Sequence, residues 1–383
     1  MMCSGREMGI NNDHEGIIEL DASFETLGQT ISALRDAPAA VFDAGITPNR
    51  PDYLAVRGVA MDLAATGIGK FIPKYDNYAG ELISGTRNAV IDNYHGCPVY
   101  YLCEIRTIKM APSNQTIASR LSAIGINPRN APIDATNYIC YDIGQPMHCF
   151  DADEINGDII IRSAKAGEKF TDLFGNEHEL VETDLVISDA SGILALAGVI
   201  GGLRGSTTDK TTDIILEGAY FDPVTVRKTA KRIGVSTDAS YRYERGIDPT
   251  IAFQGIMQAA KIITDVCGGD VHVPFRDWDR NNPKQAFLGE SEKVDELSHL
   301  EWMKILEPRR IKYKPELFKI KTGVALSKAE QQQIFESLGF GLEINGDDWT
   351  IIPTPARVDV EYPENIVSDL IRIYGYENIK QDK

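Results

Sequence analysis

The period of apolar and polar positions changes several times along the chain. From Ile46 the chain reads I-T-P-N-R-P-D-Y-L, and Val56, Val59, Ala60, Leu63 and Ala64 then recur at helical spacing until Gly67 supplies a stop. This predicts a small helical domain over 18–80, with Arg50 and Asp52 just before its helix as a cap and local ion pair. Between 81 and 276 the period turns strand-like, in Pro98–Lys109, Asp158–Ser163, Leu185–Ser188 and Asp213–Tyr220. Lys169–Leu180 reads as a hairpin with Gly175-Asn176 as a two-residue turn. One helix interrupts, placing Ile117, Leu121 and Ile124 on one face, with Gly125 as its stop and Pro128 beyond.

A polar bridge over 277–309 has no firm periodicity and reads as a linker or insertion, with Leu300–Leu306 as a short helix. Over 310–383, Ser327 and Glu330 form a capping box ahead of Ile334, Phe335 and Leu338, and Gly339 stops that helix. A hairpin follows with Asn345-Gly346 in its turn, and Pro363 opens a last helix carrying Ile366, Leu370 and Ile373. Helix, two strands and helix make a winged-helix-like unit. The whole predicts a multidomain α+β protein: a small helical N-terminal domain, a mixed α+β central domain with antiparallel sheets, and the winged-helix-like C-terminal domain.

Composition narrows the function. The chain has 383 residues, which suits two or three domains, and a formal net charge of -17, which argues against general binding to nucleic acid or anionic membranes. Any RNA contact must use a local basic patch. The six cysteines form no C-x-x-C pair and no signal peptide is evident, so the chain reads as reduced and cytoplasmic. Neither zinc-ligand spacing nor the common nucleotide-binding and hydrolase fingerprints occur.

Candidate chemistry concentrates in Pro132–Asp151, where Asp134, Thr136, Asn137, Gln145 and His148 stand among apolar residues. Buried polar groups must be hydrogen-bonded or used. From Tyr138 this stretch can run as helix or strand to Gly144, and Pro146 stops any helix, so His148 falls on a non-helical segment. The glycine-rich Ala195–Gly205 is either a tight turn or a place where backbone approaches a ligand. Glu217 is a carboxylate inside an apolar strand and needs a partner. Arg227 and Lys231, and likewise Lys228 and Arg232, fall one helical turn apart and make a basic stripe suited to phosphates or simply to solvent.

These stretches resemble the β subunit of bacterial phenylalanine-tRNA ligase over nearly the whole chain. The motifs run in order: I-T-P-N-R-P-D-Y-L, D-A-T-N-Y, G-Q-P-M-H-C-F-D, A-L-A-G-V-I-G-G, L-E-G-A-Y-F-D-P, T-D-A-S-Y-R-Y-E-R-G-I-D-P and I-R-I-Y-G-Y-E-N-I. The resemblance implies that 81–276 is an editing domain, which hydrolyses tyrosine misattached to phenylalanine tRNA. An apolar synthetic pocket rejects an isostere bearing one extra hydroxyl by only about 10², so a second site must recognise that hydroxyl. By resemblance Glu217 receives it, His148, Asn137 and Thr136 surround the ester and the attacking water, Gly201 lies against the substrate, and Thr237 and Ala239 shape the side-chain pocket.

The resemblance also implies an α subunit (α2β2 in the family) that handles ATP and phenylalanine, so that this chain alone does not aminoacylate. It implies that 1–17 is a remnant of an oligonucleotide-binding-fold domain and that the chain is a truncated piece. Magnesium-associated carboxylates of the family correspond to Asp359 and Asp369, while Asn365 and Ser368 stand where further acids are expected. Those two losses weaken a site for Mg2+, which prefers hard oxygen ligands. The competing reading is a catalytically silent, tRNA-binding scaffold that supports the α subunit.

Overall fold

The computed structural model describes residues 4, 14–17, 40–73, 78–273 and 303–379. Most of the expected N-terminal remnant, most of the segment ahead of Ile46 and most of the polar bridge therefore lie outside the described residues. Two apolar clusters organise the rest, one formed mainly by 91–273 and one by 311–370 with Ala65.

The larger cluster is built on a five-stranded sheet, ordered β1 (Leu82–Ser84), β12 (Asp270–Val273), β3 (Val99–Arg106), β11 (Ile214–Tyr220) and β4 (Met147–Asp151). All seven residues of β11 are buried, and its neighbours β3 and β4 both run antiparallel to it. Side chains alternate between the two faces of a strand. On one face, Gly218 lies so close to α6 (Ala252–Cys267) that a Cβ would meet Ile256 Cγ1 at 3.0 Å and the Ala252 carbonyl at 3.1 Å. Tyr101, opposite Gly218, meets Phe253 of the same helix with ring centroids 5.7 Å apart. Glu217 must then face away from α6. A second five-stranded sheet has the order β10 (Ile200–Gly201), β9 (Gly192–Leu196), β8 (Leu185–Asp189), β5 (Ile159–Ser163) and β2 (Ala89–Ile91).

Several expectations are corrected here. Residues 131–142 form one helix, α3, opened by Asn130, whose side chain accepts from Ile133 N at 3.1 Å. Thr136 and Asn137 are therefore helical, and the helix-or-strand ambiguity from Tyr138 resolves to helix. His148 stands on strand β4. The glycine-rich 195–205 stretch holds the end of β9 and the short β10. The hairpin of β6 (Lys169–Thr171) and β7 (Glu177–Glu179) pairs Thr171 with Glu177, leaving five residues in its loop instead of two. The reason is Asp172, whose Oδ1 accepts from Phe174 N and Asn176 N at 2.9 and 3.0 Å and so nucleates a longer turn.

The smaller cluster surrounds a three-stranded sheet, β13 (Ile311–Tyr313), β15 (Asp348–Ile352) and β14 (Gly341–Asn345). It carries α7 (Glu316–Thr322), α8 (Lys328–Ser337) and α9 (Pro363–Tyr374), one strand and one helix more than the apolar pattern indicates. The capping box of Ser327 and Glu330 is present. Asn345 pairs with Asp348, so the two turn residues are Gly346 and Asp347, one position later than expected, with Gly346 at φ +60°. The N-terminal helix α1 spans Val56–Ala65, but Val56, Val59 and Leu63 are exposed, so its apolar stripe does not face the described core. Arg50 does pair with Asp52, donating at 2.9 and 2.7 Å.

Because Gly218 is the only way α6 and β11 approach so closely, Gly218→Val should overpack that contact and cost about 1–3 kcal/mol. Equilibrium urea unfolding should show the lowered midpoint, and an unchanged midpoint would contradict this packing.

Candidate functional site

Glu217 sits in the middle of β11, directly opposite His148 on β4 and Leu102 on β3. Residues opposite one another in an antiparallel pair project to the same face. The carboxyl and the imidazole therefore share the face turned away from α6. Gly201 closes over them: a Cβ there would lie 2.5 Å from His148 Cε1 and 3.1 Å from Nε2. Any side chain at 201 would occupy the space against the imidazole. Phe150 packs edge-on against the His148 ring at 4.4 Å, making the surroundings apolar.

Apolar surroundings set the protonation states. Burial pushes the Glu217 carboxyl up to about 8, a rise that the neighbouring Tyr100 hydroxyl only partly offsets. Near pH 7 the group is therefore mostly the neutral acid, able both to donate and to accept a hydrogen bond. Its Oε2 is buried without a hydrogen-bond partner. Burial lowers His148 to about 4, so its imidazole stays neutral across the physiological range and retains one acceptor nitrogen.

The other expected residues arrive from different elements. Thr237 caps α5 (Asp238–Tyr243), and its hydroxyl donates to the Val199 carbonyl at 2.7 Å, tying that helix to the turn that leads into β10 and Gly201. Ala239, on the first turn of α5, packs against the main apolar cluster. Thr136 and Asn137 lie on α3. The Thr136 hydroxyl donates to Ile133 O at 2.8 Å, a bond internal to the helix. Asn137 is half-buried one turn before Tyr141, whose hydroxyl donates to Asp238 at 2.8 Å, so this face of α3 turns toward α5. Among the described residues no hydrogen bond joins Thr136 or Asn137 to His148 or Glu217.

Two other polar residues of the same stretch have structural partners. Asp134, fully buried, accepts from Arg129 N at 2.8 Å and Ser113 Oγ at 2.6 Å. Gln145 donates to the Pro146 and Ala219 carbonyls at 2.7 and 3.1 Å. Pattern reading missed Tyr100, because an aromatic residue in a Val/Tyr/Ile run reads simply as strand core. Phe150 was hidden in the same way.

The basic stripe on α4 (Pro223–Ile233) is divided. Arg227, Lys228 and Lys231 are exposed, whereas Arg232 is engaged with the buried Asp184 and donates to Glu179 O at 3.0 Å. Arg232 is thus a structural cation, and a sequence pattern of spacing alone carries no sign of that. The donor set at the expected magnesium position does not suit the ion. Asp359 accepts two bonds from Arg357 at 2.8 Å each, and Asp369 meets Arg357 and Arg372 at 2.9 and 3.1 Å. Asn365 is used as a cap, accepting from Tyr362 N at 2.9 Å. Both carboxylates are neutralised by guanidinium groups, and no cluster of three or more His, Cys, Asp or Glu among the described residues is arranged to hold a metal.

A B3/4 domain model matches residues 96–268, the unit holding His148, Gly201 and Glu217, and a tRNA synthetase B5 domain model matches residues 311–376. The phenylalanine–tRNA ligase beta subunit of Zymomonas mobilis is 34% identical over 379 residues, 99% of this chain and 44% of that one. That of Bacteroides fragilis is 35% identical over 391 aligned positions, again covering 99% and 44%. The chain belongs to the phenylalanine–tRNA ligase β-subunit family. It spans about 44% of the length of the curated relatives it matches. A solved N-terminal fragment of the phenylalanyl-tRNA synthetase beta-subunit from Pyrococcus horikoshii superposes loosely, with a TM-score of 0.41 and 17% identity over 86% of this chain and 85% of that one.

The raised Glu217 pKa has a consequence for stability. The folded chain favours the neutral acid, so ionisation opposes folding increasingly as pH climbs from the ordinary value of 4.5 to about 8. Glu217→Gln cannot ionise. The difference in thermal midpoint between E217Q and the parent chain should therefore grow in favour of E217Q between pH 5 and pH 8 and level off above it. A difference independent of pH would contradict the assigned protonation state.

Proposed function

We propose that the central unit is an aminoacyl-ester hydrolase that removes tyrosine mistakenly attached to phenylalanine tRNA. The observation that carries this reading is the register placing Glu217 and His148 side by side with Gly201 against the imidazole. A phenolic hydroxyl entering this face meets Glu217 Oε2, a buried carboxyl oxygen that has no hydrogen-bond partner among the described residues. Phenylalanine offers no hydroxyl, and its ring would leave that atom unpaired, at a cost of about 1–3 kcal/mol. The site therefore prefers the amino acid that an apolar synthetic pocket cannot reject.

Hydrolysis of an aminoacyl ester asks for little beyond a positioned water and a stabilised oxyanion. His148, neutral near pH 7, accepts a hydrogen bond from that water, and Gly201 leaves room for the ester beside the ring. Asn137 approaches from α3 with Thr136 holding its helix turn, and Thr237 fixes the loop bearing Gly201, while the small Ala239 leaves space for the aromatic ring. Aminoacylation, with its ATP, belongs to a separate α subunit, and the protein works in the cytoplasm. The five buried free thiols of Cys97, Cys103, Cys140, Cys149 and Cys267 accord with a reducing compartment. The RNA is met by the B5 unit and by Arg227, Lys228 and Lys231 of α4.

Deacylation of tyrosyl-tRNA measured with the full chain should fall roughly 10²-fold in His148→Ala, the order expected of one positioned group. Glu217→Ala should leave tyrosyl and phenylalanyl esters cleaved at similar rates. Equal rates for the parent chain and both variants would end this assignment.

Replacing Arg227, Lys228 and Lys231 together by Ala should weaken tRNA binding and flatten the slope of log affinity against log salt by up to about three. Arg232→Ala should instead lower the thermal midpoint, because it removes the guanidinium from the buried Asp184 and leaves only the Thr229 hydroxyl and the Val181 N–H as partners. A salt slope untouched by the triple variant would show that the stripe is only a solvated helix face.

A further inference from the structure

Glu217 is not the only polar group held under this face without a full set of partners. Tyr100 lies on β3 opposite Ala219, diagonal to Glu217 and on the same side of the sheet. It is only 2% exposed, and its hydroxyl, like Glu217 Oε2, is buried without a completed hydrogen bond. The two groups are close enough for the hydroxyl to favour the ionised carboxyl. A buried tyrosine hydroxyl normally finds a partner, and a phenylalanine would fill the same volume at no polar cost. Tyr100 is therefore a hydroxyl retained where packing does not require one.

We propose that Tyr100 is a specificity-determining positioning residue, whose hydroxyl holds the Glu217 carboxyl so that Oε2 points to where the substrate's phenolic hydroxyl enters. The inference rests on the editing assignment above and goes further, since it makes recognition the work of a pair on two adjacent strands. Other groups around the carboxyl are differently occupied. Tyr243, from α5, has its hydroxyl 3.1 Å from both the Pro146 and Ala219 carbonyls. Cys97, ahead of β3, contributes its thiol to the Val99 carbonyl at 3.4 Å. His148, on β4, is directed to Gly201. Tyr100 alone among these has a hydroxyl with nothing else to bind. Loss of that hydroxyl loosens the carboxyl and, by removing a donor to its charged form, moves its titration to higher pH.

The test is Tyr100→Phe in the full chain, with tyrosyl- and phenylalanyl-tRNA as substrates from pH 6 to pH 9, alone and combined with Glu217→Ala. Tyrosyl-ester kcat/KM should fall about tenfold, mainly through KM, while phenylalanyl-ester hydrolysis stays within about twofold. The pH at which the tyrosyl preference changes should rise. In the Glu217→Ala background the same substitution should change neither rate, because Tyr100 acts only through the carboxyl. An infrared titration of the Glu217 carboxyl in Y100F gives a readout independent of turnover, and an unshifted titration overturns the proposal even if activity is lost through misfolding. If the parent chain prefers tyrosyl esters and Y100F keeps both that preference and its pH profile, the role of Tyr100 is refuted and the editing assignment stands. A parent chain without any tyrosyl preference refutes both.

Discussion

Desolvation of one carboxyl group governs this molecule. Glu217 lies within a strand whose every residue is buried, between two antiparallel neighbours that supply a tyrosine on one side and a histidine on the other. Burying an acid is unfavourable unless it is paired or kept protonated. Among the described residues no guanidinium or ammonium neutralises it, and the chain pays by holding the proton. The alternative solution operates at Asp184, Asp189, Asp359 and Asp369, each of which is met by arginine. Glu217 stands apart from these as a buried acid with no cationic partner among the described residues, a place where the fold accepts a cost in stability.

The register of the central sheet turns that chemical fact into a site. Alternation along β11 sends Gly218 to the helix and Glu217 to the opposite face, so the tight packing of α6 and the orientation of the carboxyl are two readings of one constraint. A slip of one residue would exchange them. The loop bearing Gly201 is fixed in turn by the Leu173 N–H donating to the Gly201 carbonyl at 3.0 Å and by Thr237 bonding Val199. The imidazole is thus confined between a strand neighbour and a residue with no side chain.

Much of this was legible in the chain itself. Strands with long apolar runs, the helix ended by Gly125 and the capping box at Ser327 follow from local rules that tertiary packing did not override. His148, Gly201 and Glu217 stood out because a polar or glycine residue in an apolar run is costly unless it has a use. What was not legible depended on contacts distant in sequence. Nothing local shows that Arg232 serves Asp184, that Arg372 reaches Asp62, or that Tyr100 comes to lie diagonal to Glu217. The misread turns have a nearer cause, since Asp172 organises its loop through side-chain bonds that a two-residue glycine signal does not include.

Arginine pairing also ties α1 to the unit built on the smaller apolar cluster. Arg372 of α9 engages Asp62 of α1 as well as Asp369, and Arg50 lies 3.7 Å from Asp62. A chain of alternating charges therefore runs from the segment ahead of α1 into the last helix, largely shielded from solvent. Its members are shared, so each charge keeps a second partner when one link opens, and the helix that precedes the central unit is latched to the B5 unit more than two hundred residues later in sequence. Any displacement of the B5 unit would drag α1 with it, and through α1 would reach α3, on which that helix packs.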